Sequence, residues 1–225
     1  MKSGIQIRPL HPQNATSDLK CWLDGADSNT FTLDGTYVNN WACKGSLSAD
    51  VANTNNNTTR PTYDAATGRV TFTDANGTFL KNETIAITQP NTVFIVCKSL
   101  TPAGAYQFFF DGIRSRQYLY LNSNKWYIDT DAGVDIESAT TDGNDNIHYI
   151  LFNGANSDHW INGVLQVSGD ALTDGLTDLV IGDYSGFGLG CDAEICEVII
   201  YDADISDVDR DKITGYLANK HGIVI

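Results

Sequence analysis

From Leu19 onward, apolar and polar residues alternate in short runs that are separated by turn signals. Segments such as "GRVTFTD", "NTVFIVCKS" and "QYLYLN" have the period of two that is typical of β-strands. Because no helical periodicity intervenes between them, the pattern favours an antiparallel sandwich or jelly roll. The polar stretch "KGSLSADVANTNNNTTRP" is predicted to be a long surface loop.

Two hairpins can be placed in register from the sequence. Asn162-Gly163 in "HWINGVLQV" is a strong turn signal, and it pairs Ile161 with Val164 and Trp160 with Leu165. The segment "QYLYLNSNKWYID" turns around Ser123-Asn124. In that register the predicted core face carries Leu119, Leu121, Trp126 and Ile128. The opposite face is aromatic, polar and charged, with Tyr118, Tyr120, Asn122, Lys125, Tyr127 and Asp129.

The C-terminal segment "AEICEVIIYDADISDVDRDKITGYLANKHGI" changes its periodicity halfway. A β-branched run is followed by Ser206, an N-cap residue, with Asp209 in the first turn. Lys220 and His221 then supply a cationic last turn, and Gly222 supplies a stop. The segment therefore predicts one strand followed by one short, capped helix.

Residues 1–18 are predicted to form an extended arm, and residues 19–225 a single domain. Ile5 and Ile7 fall on one face at strand spacing, and Leu10 follows them. Such a segment can add an edge strand to another sheet. The arm could lie across its own sandwich or on a partner, and we favour the partner.

Composition narrows the classes of partner. The chain has 225 residues, 42% of them hydrophobic, which is enough to bury a full core. It carries 28 acidic and 14 basic residues, a formal net charge of −14, so nucleic acid is not expected as a partner. No apolar run has the length of a signal peptide or a membrane span, so we expect neither secretion by that route nor membrane insertion.

The candidates for metal binding are weak. "DTDAGVDIE" begins like an EF-hand loop, but Val134 occupies the position that requires glycine. Asp142, Asn144 and Asp145 could offer oxygen atoms to a cation, although a turn that bonds its own backbone is favoured. No cofactor is expected, and calcium is left open. The four histidines lack ligand spacing and are expected at surface or cap positions: His11, His148, His159 and His221. The five cysteines are expected to be free and mostly buried: Cys21, Cys43, Cys97, Cys191 and Cys196.

Several segments, in order, resemble a concanavalin A-like (laminin G-like) jelly-roll domain. They are "CWLDGADSNTFTLDGTYVNNWACKG", "RPTYD", "HYILFNGANSDHWINGVLQVSGD", "LVIGDY" and the C-terminal segment. The resemblance implies an all-β sandwich of two antiparallel sheets, with the short C-terminal helix packed outside. Domains of this kind recur in bacteriophage virion proteins and in secreted bacterial adhesion modules.

The glycosidase version of this fold carries alternate carboxylates that share one cleft on a strand. The nearest pattern here is "DAEICEV", in which Glu194 and Glu197 are three residues apart and are predicted to point to opposite faces. Neither a G-x-S-x-G nor an H-E-x-x-H motif is present. We therefore predict that the chain is not an enzyme.

The aromatic and polar face is the best candidate for recognition. Sugars stack their C–H faces on aromatic rings and need partners for their hydroxyl groups. The candidate residues on the hairpin are Tyr118, Tyr120, Asn122, Lys125, Tyr127 and Asp129, and the strand "AYQFFFDG" is predicted to extend the face with Gln107, Phe109 and Asp111. The alternative is that these rings lie under another strand or subunit.

The resemblance implies a non-enzymatic bacteriophage virion surface protein, such as a capsid decoration, head-fibre or tail-associated protein. It would be made in the host cytoplasm and would dock on capsid or tail proteins through Ile5, Ile7 and Leu10. Host or environmental glycans are further expected partners. A secreted carbohydrate-binding module is the alternative, a glycoside hydrolase is less favoured, and a homo-oligomer is left open.

Overall fold

The computed structural model describes residues 10–15, 18–131, 135–140, 143–184 and 188–225. Its strands are β1 (Leu19–Asp24), β2 (Phe31–Asp34), β3 (Tyr37–Trp41), β4 (Val51–Ala52), β5 (Thr62–Asp64), β6 (Arg69–Phe72), β7 (Leu80–Ile87), β8 (Asn91–Ser99), β9 (Gln107–Asp111), β10 (Gln117–Asn122), β11 (Lys125–Thr130), β12 (Ile136–Thr140), β13 (Asn146–Phe152), β14 (Ser157–Ile161), β15 (Val164–Gly169), β16 (Leu176–Ile181) and β17 (Ala193–Tyr201). One helix, α1 (Asp207–His221), follows the last of these strands.

The strands form two antiparallel layers. The back sheet has the order β15–β14–β13–β8–β17–β1. The front sheet runs β12–β11–β10–β9–β16–β7 and continues through β4 to β3 and β2. The β5–β6 hairpin joins the two sheets, because β5 pairs with β3 and β6 pairs with β17. The all-β sandwich predicted from the sequence is confirmed.

The main core lies between the sheets. Side chains from both inner faces interdigitate there, as in other sandwiches. Its largest fully buried members include Trp41, Trp126, Phe109, Phe110 and Phe152. Both hairpin predictions are confirmed: Ile161 pairs with Val164, and Asn122 pairs with Lys125.

Helix α1 packs on the outer face of the back sheet. The Ser206 hydroxyl accepts a hydrogen bond from the Asp209 amide at 3.2 Å, and Gly222 ends the helix with a φ of 69°. Ile213 and Leu217 are buried in a second apolar cluster with side chains of β1, β8, β13 and β17. The predicted helix and its position are confirmed. Within the described ranges, α1 lacks the length and apolar character that spanning a membrane requires.

A bulge in β9 overturns one predicted face. Leu119 pairs with Phe110 and Tyr120 pairs with Phe108, so Phe109 is the extra residue between them. Phe109 therefore joins the core, where its ring lies 4.7 Å from that of Trp126. The prediction that Phe109 extends the tyrosine face is wrong, and Phe108 takes that place.

A second bulge, at Cys196 in β17, changes the orientation of two carboxylates. Ile195 pairs with Cys97 and Glu197 pairs with Val96, which leaves Cys196 unmatched. Glu194 and Glu197 consequently lie on the same, helix-covered face of the back sheet. The prediction of opposite faces assumed an unbroken alternation, and it is wrong.

Two histidines expected near the surface are fully buried. His148 in β13 and His159 in β14 face the core between the sheets. The Nδ1 atom of His148 lies 2.9 Å from the Nε2 atom of His159, and the Trp126 ring packs against His148. The pair satisfies one nitrogen of each ring, which is why such polar groups are tolerated in the core.

Part of the predicted arm lies on its own sandwich. The Tyr201 hydroxyl donates to the Pro12 carbonyl at 3.0 Å, and Pro12 is buried. The Leu10 amide donates to the Lys212 carbonyl of α1 at 3.4 Å. These contacts place the described residues of the predicted arm, 10–15, against the domain itself. Two predicted docking residues lie outside the described part of the chain: Ile5 and Ile7.

Candidate functional site

The outer face of the front sheet carries a cluster of aromatic rings, which we call the aromatic shelf. The alternation of β10 and β11 places their tyrosines opposite the leucines and Trp126 of the core, as predicted. Phe108 joins them through the β9 bulge, and two rings come from loops. The shelf consists of Tyr106, Phe108, Tyr118, Tyr120, Tyr127 and Tyr184.

Tyr120 forms the centre of the shelf. Its ring stacks on those of Tyr127 at 4.8 Å, Phe108 at 5.2 Å and Tyr106 at 6.3 Å. Only 3% of Tyr120 is exposed, whereas 52% of Tyr106 is exposed. Tyr120, predicted to contact a ligand, therefore supports the other rings, and Tyr106 offers the open ring.

An ion pair holds one end of the shelf. Arg116 donates from Nε to the buried Asp111 carboxylate at 3.0 Å and makes a second, shorter bond from Nη2. The guanidinium lies 3.8 Å from the centre of the Tyr184 ring and 5.0 Å from that of Tyr118. Asp111, a predicted ligand contact, is thus committed to Arg116 and positions the rings.

Two carboxylates, Asp129 and Asp135, also border the rings. The Tyr118 hydroxyl donates to Asp129 Oδ2 at 3.1 Å, and the Thr130 amide donates to Oδ1 at 2.6 Å. Burial and the neighbouring Asp135 raise the pKa of Asp129 to about 6. A carboxyl group with such a pKa can donate or accept a hydrogen bond close to neutral pH. Asp135 is exposed.

Further polar side chains border the rings along β11 and β12, and we call them the polar rim. Lys125 Nζ lies 3.0 Å from Glu137 Oε1, and the Tyr127 hydroxyl donates to Glu137 Oε2 at 2.9 Å. Burial and the bond to Glu137 raise the pKa of Tyr127, so its hydroxyl keeps its proton. The rim thus presents oriented donors and acceptors beside the rings.

A shallow pocket of about 310 Å³ opens on the shelf. Its lining comprises Tyr106, Phe108, Tyr118, Tyr120, Asp135, Tyr184 and Leu189. Tyr106 has a φ of 46°, a region that a bulky residue rarely occupies. Strain of this kind persists where the surroundings impose it, and it is frequent in binding sites. Aromatic walls with a few polar groups are typical of small-molecule sites.

The structure gathers most, but not all, of the predicted site residues. Tyr118, Tyr120, Tyr127, Lys125 and Asp129 share one face. Gln107 is instead turned into hydrogen bonds with Ser99 and Thr101, and Asn122 lies at the hairpin turn beside Ser123. Four further lining residues that lie outside the paired strands were not predicted from the sequence: Tyr106, Asp135, Tyr184 and Leu189. For the two tyrosines the signal was an aromatic residue within a turn segment, as in "AGAYQ" and "IGDYS".

The predicted oxygen cluster for a cation is only partly described. Asp145 is bound by Arg69, at 2.8 Å from Nη1 and 2.5 Å from Nη2. Asp142 and Val134 lie outside the described residues. Across the described ranges, no group of three or more histidine, cysteine or acidic side chains has an arrangement that could hold a metal ion.

Comparison with known proteins supports the fold. A scan against protein-family models finds no match, and neither does a search of curated protein sequences. Among solved structures, a sialidase of Trypanosoma rangeli in complex with sialic acid superposes with a TM-score of 0.66 at 11% identity, over 96% of this chain and 36% of that chain. The same sialidase in complex with the inhibitor DANA has a TM-score of 0.64 at 10% identity, over 98% and 36%.

A region of the laminin α2 chain, LG1-3, also matches, with a TM-score of 0.43 at 9% identity over 58% of this chain and 26% of that one. The chain spans about a third of the length of the sialidase chains. The prediction that the chain is not an enzyme is contradicted, because the solved structures that superpose on it include sialidases, which are enzymes. At this identity the likeness establishes the fold and assigns no activity. The chain has the concanavalin A-like (laminin G-like) jelly-roll fold that its sequence resembles.

Proposed function

We propose that the chain binds carbohydrate on the aromatic shelf. The proposal rests on one observation: exposed and half-buried rings, with Tyr106 the most open, lie with the Asp135 carboxylate and tyrosine hydroxyls in one pocket, on a sheet face that α1 does not cover. The C–H face of a sugar ring can stack on Tyr106 or Tyr184, while the exposed Asp135 accepts hydrogen bonds from its hydroxyl groups. Asp129 is buried and orients the Tyr118 hydroxyl.

The charges of the site define the ligand class. The acidic side chains Asp129 and Asp135 repel sugar acids, and the nearby Arg116 is already paired with Asp111. The site therefore suits neutral sugars, and amino sugars whose ammonium group can approach a carboxylate. The sialidase structures contain sialic acid or its analogues, which are anionic, so the proposed ligand differs in charge from theirs.

The first test replaces the open ring. Tyr106→Ala is expected to weaken binding to neutral or amino-sugar glycans on an array by about fivefold, since a lost stacking contact is worth about 1 kcal/mol. The control is Tyr37→Ala, because Tyr37 is a partly exposed tyrosine of β3 that lies outside the shelf. Dissociation constants would be measured by calorimetry with the glycan that binds best.

The matched control should bind as tightly as the unmodified protein, and both variants should melt at nearly the unmodified temperature. Binding that survives Tyr106→Ala unchanged would move the site away from the shelf. Preference for sialylated glycans, or no glycan binding at all, would contradict the proposed ligand class or the proposal itself.

A finer proposal, supported by the resemblance of the sequence segments, is that the domain sits on a bacteriophage particle through its N-terminal residues. Deleting residues 2–9 removes Ile5 and Ile7 but keeps the Pro12–Tyr201 contact. The melting temperature is therefore expected to stay unchanged, while attachment to particles that lack the protein is lost. Mass spectrometry of purified particles measures attachment. Retained attachment, or absence of the full-length chain from particles, would contradict this role.

A further inference from the structure

Two neighbouring cysteines, Cys21 and Cys43, lie outside the aromatic shelf. Cys21 is fully buried in β1, and Cys43 is half-buried two residues after β3. The segment that carries Cys43 runs alongside β1, because the Lys44 amide donates to the Trp22 carbonyl at 2.8 Å. A Cβ atom at Gly45 would lie 2.7 Å from the Cα of Cys21, so only glycine permits this approach.

The sulfur of Cys43 accepts hydrogen bonds from several donors, and as a thiol it donates to the Lys20 carbonyl at 3.8 Å. The Trp22 amide lies 3.3 Å from Sγ, and the Gly45 amide lies 3.2 Å from it. The Cys21 thiol and the Ala49 amide also donate to it. The environment is therefore built for a negatively charged sulfur, in the manner of an anion-binding nest of backbone amides.

These donors change the pKa values of the two thiols in opposite directions. The hydrogen bond from Cys21 and the backbone amides lower the pKa of Cys43 to about 6, against the opposing effect of burial. The same hydrogen bond and burial raise the pKa of Cys21. At neutral pH a reactive thiolate thus lies beside a thiol that keeps its proton.

The other three thiols lack this arrangement. Cys97, Cys191 and Cys196 are buried, and burial raises the pKa of each. A buried thiol that keeps its proton is a poor nucleophile. Oxidation at neutral pH should therefore select one of the five cysteines.

We propose that Cys43 and Cys21 form a redox-active dithiol that reacts with hydroperoxides and closes to a reversible disulfide. In the first step the Cys43 thiolate attacks one oxygen of the hydroperoxide, the O–O bond breaks, and the released alkoxide takes a proton from water. Cys43 is oxidised to a sulfenic acid while the hydroperoxide is reduced to an alcohol.

In the second step the sulfur of Cys21 attacks the sulfur of Cys43. The S–S bond forms, the S–O bond of the sulfenic acid breaks, and the Cys21 proton joins the leaving hydroxide as water. The balance is two thiols and one hydroperoxide giving one disulfide, one alcohol and one water. A small dithiol restores the reduced pair by exchange.

The test uses the full-length protein, treated with about one equivalent of hydrogen peroxide at neutral pH, then alkylated, denatured and mapped by mass spectrometry. The expected product is a peptide pair linked through Cys21 and Cys43, with three thiols left to alkylate, and it should disappear after treatment with dithiothreitol. Five alkylated thiols, or a link between other cysteines, would overturn the proposal.

Three variants separate the steps. Cys21→Ser should stop at the sulfenic acid on Cys43, which dimedone traps, and Cys43→Ser should abolish the reaction. Cys191→Ser is the matched control, because Cys191 is buried and outside the pair. In the unmodified protein, alkylation of Cys43 by iodoacetamide should rise with pH around a midpoint near 6. A midpoint at the ordinary value of a free thiol would also overturn the proposal.

Discussion

Acidification from pH 6.5 to pH 5 is expected to lower the free energy of unfolding by about 3 kcal/mol through two buried histidines. The rings of His148 and His159 are excluded from solvent between the sheets, with 2.9 Å between their closest nitrogens. Burial, and then the neighbouring ring of His159, lower the pKa of His148 well below its ordinary value. Burial lowers the pKa of His159 to about 3.

The direction of this effect follows from the protons that each state binds. Below about pH 6.5 the unfolded chain protonates both imidazoles, whereas the native sandwich keeps them neutral. The stabilisation is therefore complete above that pH and is lost as the pH falls toward 3, at about 1.4 kcal/mol per histidine per pH unit. Asp129 acts in the opposite direction, because its raised pKa lets the native state take up a proton before the unfolded chain does.

Urea unfolding at pH 7.5, 6.5 and 5 would measure the effect. The double variant His148→Leu/His159→Leu should lose most of the pH dependence of the unmodified protein. Because both proteins contain Asp129, its contribution cancels when their stabilities are compared. His11→Gln is the control, since His11 is only partly buried and should leave most of the slope in place. Equal stability of the unmodified protein at pH 7.5 and 5, or an unchanged slope in the double variant, would refute this account.

Replacing one buried carboxylate is expected to destabilise the junction between α1 and the back sheet. Glu197 is fully buried and accepts hydrogen bonds from Trp22 Nε1 at 2.7 Å, from Lys220 Nζ at 2.7 Å and from His221 at 2.8 Å. Glu197→Gln removes the charge but keeps the shape. It leaves Lys220 with Asp24 as its remaining carboxylate, at 2.6 Å. Losing one partner of a buried ion pair costs about 3 kcal/mol.

The matched control for this variant is Glu83→Gln, which removes an exposed carboxylate paired with Lys81. Urea unfolding should show no measurable change for the control, because water and salt screen exposed pairs. Hydrogen exchange should also become faster in the last turn of α1 when Glu197 is changed. If Glu197→Gln changes the free energy of unfolding as little as the control does, the buried charge network is not needed for stability.

Local patterns determined much of the architecture. The Asn162-Gly163 turn set the register of one hairpin, and Ser206 set the start of α1, because turn and cap preferences depend on a few adjacent residues. The alternation of β10 and β11 likewise separated the core face from the tyrosine face. Each of these predictions needs only the neighbours of a residue along the chain.

Wherever the alternation of a strand is broken, tertiary packing determined which face of the sheet each side chain occupies. The bulge at Phe109 sends that ring into the core and brings Phe108 to the shelf, and the bulge at Cys196 brings Glu194 and Glu197 to one face. A single extra residue reverses every later position, and packing against distant strands determines where it is inserted.

The site itself depends on contacts between residues that are far apart in sequence. Tyr106 and Tyr184 approach the shelf from loops, and the sequence alone could not place their rings on Tyr120 and Phe108. The burial of His148 could not be predicted either. A histidine within a strand is expected on the polar face, and only its hydrogen bond with His159 makes a core position acceptable. The amino-acid sequence by itself therefore determined the sandwich, its hairpins and its final helix. Only the tertiary structure decided which side chains come into contact at the shelf and in the core, since those contacts depend on long-range packing rather than on local periodicity.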